Sequence, residues 1–200
     1  MSENSRKIGF DELTGLLNRR VALAIGERWW TESEDPSFQV GLFLCNLDKF
    51  KLLNHLLGHR VGDEVLVEAA SRLTSAAREN DVVSRLGKDE FLILRPNIHT
   101  FDQMDDLITR ILRSFESPIH ILGHALTMRN ELSPHFSDNE LSPQFSDPVV
   151  DEHAVRVKIS IGFVIWNSLE TLSETFAHAG MALDQAKIEG EAQARGFGAN

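Results

Sequence analysis

The sequence predicts an α/β domain built on one mixed central β-sheet covered by helices, and three stretches carry that expectation. Residues 38–47, FQVGLFLCNL, are almost continuously apolar, the pattern of a strand covered on both faces. Residues 85–94, RLGKDEFLIL, read as two short strands around a tight turn. Val82, Val83 and Leu86 lead in and Phe91, Leu92, Ile93 and Leu94 lead out, with Gly87 and polar residues between them. Residues 101–115 repeat Phe101, Met104, Leu107, Ile108, Ile111, Leu112 and Phe115 at helical spacing. Strands and helices that alternate irregularly around a hairpin suit one sheet with helices packed on it. The 200 residues are enough for one domain with a core and demand no second one.

The remaining elements follow in order. Residues 16–30 read as a helix with Leu16, Leu17, Val21, Leu23, Ala24 and Ile25 on its apolar face and Thr14 or Asp11 as cap. TESEDPS is a turn. Residues 48–57 form a short helix ending at Gly58, and residues 61–78 a longer one with Val65, Leu66, Ala69, Ala70 and Leu73 on one side. Residues 118–128 alternate partially, as a strand would, and residues 154–166, AVRVKISIGFVIW, make a strong strand. A helix over 172–188 turns Phe176, Ala179, Met181, Ala182, Leu183 and Ala186 inward and stops at Gly190. Residues 130–138 (NELSPHFSD) and 139–147 (NELSPQFSD) are a tandem copy with one change. They are too short for a solenoid unit, so residues 129–153 are expected to be an exposed, mobile insertion.

A net charge of −10 argues against a general nucleic-acid binder, which needs a basic face. It leaves room for a nucleotide whose phosphates meet a few local cations and Mg²⁺. The single cysteine, Cys45, excludes a disulfide framework and points to a reducing, cytoplasmic setting. No apolar run reaches the ~18 residues of a membrane helix, and MSENSRKIGF lacks a signal-peptide apolar region. At the hairpin tip, Asp89 and Glu90 offer two carboxylates backed by apolar strands. Such a pair suits Mg²⁺, which takes one or two carboxylates and leaves its other positions to phosphate and water. A solvated turn is the alternative.

Four stretches line up with one another: DELTGLLNRR (11–20), NLDKFKLLNHLLGHRVGD (46–63), GKDEF (87–91), and KISIG with ALDQAKIEG (158–162, 182–190). In order and spacing they resemble the GGDEF domain, the diguanylate cyclase family, over residues 10–197. The resemblance implies a fold related to the nucleotidyl cyclase and polymerase palm. It also implies a chemistry in which two domains, each holding GTP and Mg²⁺, condense two GTP into cyclic di-GMP. By the same resemblance, Asn54 and Asp63 read guanine and Lys51 and Lys187 stand near the phosphates. Lys88, Asp89 and Glu90 form the catalytic hairpin, and Asp89, position 46 and the Leu47 backbone hold the metal. Arg78 and Asp81 spell RxxD six residues before Gly87, the family's inhibitory site for cyclic di-GMP. Helix capping is the alternative role for Asn54 and Asp63, a surface position for the two lysines, and a helix end with a turn for RxxD.

Three departures fall on the catalytic side. Asn46 replaces the first acid of D-x-D, which removes a charge from a Mg²⁺ site. Lys88 replaces the second glycine of GGDEF, at a position that asks for positive φ and close approach. Glu191 stands where the family carries a phosphate-binding Arg. The expected function is therefore a degenerate regulatory or receptor module that binds cyclic di-GMP, GTP or both, with Mg²⁺ weak or absent and turnover weak or silent. An active diguanylate cyclase and a dimerisation module without nucleotide are the alternatives. A longer bacterial signalling protein with a sensor or phosphodiesterase domain is the expected context.

Overall fold

The structure is a computed structural model and describes residues 9–121, 150–151, 154–167 and 170–198. In chain order its elements are β1 (Leu17–Asn18), α1 (Arg19–Glu32), β2 (Val40–Leu47), α2 (Phe50–Leu57), α3 (His59–Ala76), β3 (Val82–Gly87), β4 (Glu90–Pro96), α4 (Asp102–Ser114), β5 (Ile119–His120), β6 (Val150–Asp151), β7 (Ala154–Val155), β8 (Ile159–Trp166), α5 (Leu172–Glu189) and β9 (Ala194–Gly196). The main sheet has the order β1-β3-β4-β2-β8-β9. Its two outer pairs, β1 with β3 and β8 with β9, are parallel, and the inner pairs are antiparallel. The fold is the mixed sheet with flanking helices that the apolar runs imply.

β2 shows why its sequence has no polar face. Val40 and Leu42 pack with Leu92, Leu94, Val164 and Trp166 beneath Ala22 of α1 and Ala179 of α5. Phe43, Cys45 and Leu47 pack with Phe91, Ile93, Ile161 and Phe163 against α2, α3 and α4. Alternate residues of one strand thus feed two cores, and an apolar residue is wanted at nearly every position. Gly162 sets the spacing on the first face. A Cβ there would lie 2.2 Å from the Ala179 carbonyl oxygen and 2.3 Å from the Leu183 nitrogen, so only glycine lets β8 meet α5. α5 opens with a capping box between Thr171 and Glu174.

Four expectations are corrected. The helix expected over 16–30 begins at Arg19, and its cap is Asn18, whose Oδ1 accepts from Val21 N at 3.1 Å. Asp11 instead closes a turn with Thr14, and Leu17–Asn18 pair with Ser84 and Arg85. Two leucines suit a helix start and a strand equally, and the free edge of β3 decided between them. The strand expected over 154–166 is two strands. Ala154–Val155 joins Ile119–His120 and Val150–Asp151 in a separate small sheet, and only Ile159–Trp166 enters the main one. Between them the chain turns away, and Arg156 Nη1 donates to the Glu116 carbonyl at 3.2 Å. Met181 is not inward but exposed, because the α5 face on the sheet runs through Thr175, Ala179, Ala182, Leu183 and Ala186. Of the strand expected over 118–128, Ile119–His120 is formed and the part from residue 122 on lies outside the described residues. The insertion expected over 129–153 also lies outside them, apart from Val150–Asp151. The helices over 48–57, 61–78, 101–115 and 172–188 all form, with ends shifted by at most two residues.

Candidate functional site

The C-terminal end of β2 brings the motif stretches together. Asn46 faces Glu90 across one strand boundary and Ser160 across the other. Leu47 N donates to the Asp89 carbonyl at 3.2 Å, and Asp48 N to the Lys158 carbonyl at 2.9 Å. The sequence-predicted metal set, Asp89, Asn46 and the Leu47 backbone, therefore does gather at one strand end. Asn46 is only 7% exposed, so a neutral amide is buried at this strand end. The donors suit Mg²⁺ in kind: Asp89 with Glu90 nearby supplies the one or two carboxylates that this cation takes from protein. They suit it with one charge fewer than an aspartate at position 46 would provide.

The hairpin turn is held in an unusual backbone state. Gly87 has φ 138° and Lys88 φ 49°, the left-handed region, and Lys88 is not a glycine. The Lys88 carbonyl accepts from Arg85 Nε at 3.1 Å and Nη2 at 2.7 Å, and Arg85 Nη1 reaches Asp11 Oδ1 at 3.0 Å. The DELTG turn thereby braces the hairpin through one guanidinium. Burial works to push the Asp11 carboxyl up, but hydrogen bonds from Thr14 and Arg85 outweigh it and hold the group below its usual range.

Behind β2 lies a second set of charges. Asp48 accepts from Ser160 Oγ at 2.7 Å and from the Ala192 backbone N at 3.0 Å. Burial pushes its carboxyl up despite those bonds and the nearby Lys187, and the Glu191 charge adds to the rise. Glu191 does not stand as a lone repulsive charge. Its Oε1 lies 2.6 Å from Lys49 Nζ and its Oε2 3.1 Å from Lys158 Nζ. Burial opposes the Glu191 charge, but the two ammonium groups outweigh it and hold the carboxyl below its usual range.

The guanine-reading candidates lie on α2 and α3. Lys51 and Asn54 line a hollow of about 660 Å³ with His55, Leu56, Leu57, Gly58, His59 and Arg60. Neither Asn54 nor Asp63 caps a helix: the N-cap of α3 is Gly58, with no side-chain cap, and Asp63 is an exposed residue one turn inside the helix. Asn54 Oδ1 is buried without a hydrogen-bond partner, pressed against Gly62, where a Cβ would lie 1.8 Å away. Among the described residues Lys187 lies in the exposed last turn of α5.

RxxD stands at the other end of β3, roughly 20 Å from the turn for six strand residues. Arg78, Asp81 and Asp106 line a hollow of about 450 Å³. The Arg78 fork is exposed and donates to Asp106 Oδ2 at 3.0 Å. Asp81 turns inward: Arg95 Nη2 reaches its Oδ2 at 2.6 Å and Nε its Oδ1 at 2.9 Å, while the same Oδ2 accepts from Arg78 N at 2.8 Å. Sequence reasoning passed over Arg95, Arg85, Lys49 and Lys158. A lone arginine in the apolar run FLILRP was a usable signal, since a buried cation demands a partner. Lys49 and Lys158 carry no such signal.

Comparison with known proteins identifies the family and the fold. The family model described as "Diguanylate cyclase, GGDEF domain" matches residues 8–133. The signaling protein YkoW of Bacillus subtilis is 35% identical over 125 residues, which cover 62% of this chain and 16% of YkoW. Diguanylate cyclase TpbB of Pseudomonas aeruginosa is 32% identical over 133 residues, 64% of this chain and 31% of TpbB. The chain thus spans between a sixth and a third of these relatives. The GGDEF domain structure of the P. aeruginosa protein PA1120 (TpbB or YfiN) superposes with a TM-score of 0.74 at 25% identity, covering 94% of both chains. The GGDEF domain of DgcB from Caulobacter crescentus, solved in complex with c-di-GMP, gives 0.73 at 21% identity over 96% of both and shows the shared fold.

Proposed function

The chain belongs to the GGDEF family of diguanylate cyclase domains, and from that premise we propose that it acts as a regulatory or receptor domain in cyclic di-GMP signalling with weak or no turnover. The observation that supports this best is Asn46, a neutral amide buried at the strand end where the metal's first acid belongs. Mg²⁺ bound by Asp89, Asn46 and the Leu47 carbonyl would neutralise phosphate charge, and the loss of one anionic ligand lowers that affinity. The chain's own residues still offer recognition. Asn54 lines its hollow, where its amide can address the polar atoms of a base, and Asp63 can accept from the N1–H and amino group of guanine together. Arg78, exposed at its hollow, can fork onto O6 and N7 of a guanine of cyclic di-GMP, while Asp81 sets the loop that carries it. The same reading places the domain in the cytoplasm, paired with a second copy and joined to sensor or phosphodiesterase domains of a longer protein. Among the described residues no helix is long and apolar enough to cross a membrane.

The test is to incubate the protein with GTP and Mg²⁺ or Mn²⁺ and assay cyclic di-GMP, then to titrate cyclic di-GMP into it. No product with saturable binding is the expected result. Robust product at micromolar protein establishes an active cyclase instead. Neither product nor binding at tens of micromolar ligand leaves the interaction-module reading.

A further inference from the structure

We infer that Glu191 is a specificity-determining residue: held between Lys49 and Lys158, its carboxylate takes the place of a phosphate, so the site disfavours polyphosphate tails and favours guanine ligands with one phosphate per base. This rests on the guanine reading of Asn54 and Asp63.

The geometry is that of an anion site already filled from within. Each Glu191 oxygen meets a different ammonium group, at 2.6 Å and 3.1 Å, and the side chain is only 19% exposed. An oxyanion between two ammonium groups is the arrangement that would otherwise receive a phosphate oxygen. The backbone makes this a fixed feature. Next to Glu191, Ala192 adopts φ 57° and donates its N–H to Asp48, and Lys49 adopts φ 55°. Ile161 N bonds the Gln193 carbonyl at 2.8 Å, which ties the same loop to β8. A tethered anion competes with a free one at a high effective concentration.

The charge count points the same way. Within the ion-pair cluster itself, Lys49, Lys158 and Lys187 stand against the carboxylates of Asp48 and Glu191, so neutralising Glu191 makes the cluster one charge more positive. A triphosphate, with the most charge to place there, loses most, and a monophosphate loses least.

Calorimetry separates this from the guanine reading. GTP, GMP and inorganic tripolyphosphate are titrated without divalent cation into the wild-type protein and Glu191→Gln, a near-isosteric neutral change. Glu191→Ala serves as a second neutral variant should the first fold poorly. The substitution is expected to tighten tripolyphosphate and GTP at least ~10-fold and GMP less than ~3-fold. If GTP and GMP shift by the same factor, or tripolyphosphate does not respond, the proposal is overturned. If tripolyphosphate gains while neither nucleotide binds better than it, Glu191 does exclude polyphosphate and it is the guanine reading that falls.

Discussion

The two ends of the β3–β4 hairpin handle charge in opposite ways. At the turn, ion pairs sit in partly wetted positions: Arg85 with Asp11, and Glu191 between Lys49 and Lys158. At the far end, Arg95 and Asp81 are 3% and 2% exposed and bonded through a fork, while Arg78 beside them is 61% exposed. Desolvating two charges is costly, and only close paired geometry offsets it, so removing one member of a buried pair leaves a heavy penalty. Exposed pairs carry little free energy. The penalty for breaking a pair is therefore heaviest beneath RxxD, and the phosphate selectivity proposed for Glu191 would lie at the turn end.

The sharpest way to break that contrast is Arg95→Leu, which strands the Asp81 charge in the interior. A loss of about 3–5 kcal/mol is expected in urea denaturation. A loss under ~1 kcal/mol would mean that Asp81 finds water and that the two ends do not differ. Next comes Arg78→Ala, which removes the exposed fork. Cyclic di-GMP affinity should fall at least ~10-fold, with stability changed by no more than ~0.5 kcal/mol. Equal titration curves for the two proteins would remove Arg78 from the site.

At the turn, Lys88→Gly should add about 1 kcal/mol, because glycine adopts φ 49° without a Cβ clash. Destabilisation would show that the Lys88 side chain itself holds the turn. The smallest effect is a pair of opposite pH responses. The folded Asp11 carboxyl lies below its usual range, so its contribution is complete above the unfolded value and fades as pH falls through the folded one. The folded Asp48 carboxyl lies above its usual range, so its contribution is complete below the unfolded value and is lost as pH rises through the folded one. Asp11→Asn should therefore cost most near neutrality and least in acid, whereas Asp48→Asn should be tolerated best near neutrality and worst in acid. Denaturation midpoints measured from acid to neutral pH for both variants check this, and parallel curves would contradict it.

Local pattern was enough for much of the molecule. The unbroken apolar run of β2 announces a strand with two covered faces, and the spacing of Met104, Leu107, Ile108 and Ile111 announces the buried side of α4. Both are periodicities within a few residues, so no distant partner is needed to read them. The grouping of positions 46, 89 and 90 was legible through the family resemblance alone, and the fold sets Asn46 opposite Glu90 with Asp89 in the turn beside Leu47. What the tertiary structure alone decided depends on partners far along the chain. Leu17–Asn18 is strand because β3 offers an edge, and residues 156–158 leave the sheet because Val155 pairs with Ile119 and Val150. The sequence presents Asp81 as a reader and Glu191 as a repulsive charge. Only folding sets Arg95 against the first and two lysines against the second, because a charge takes its role from the opposite charge that the fold brings within reach.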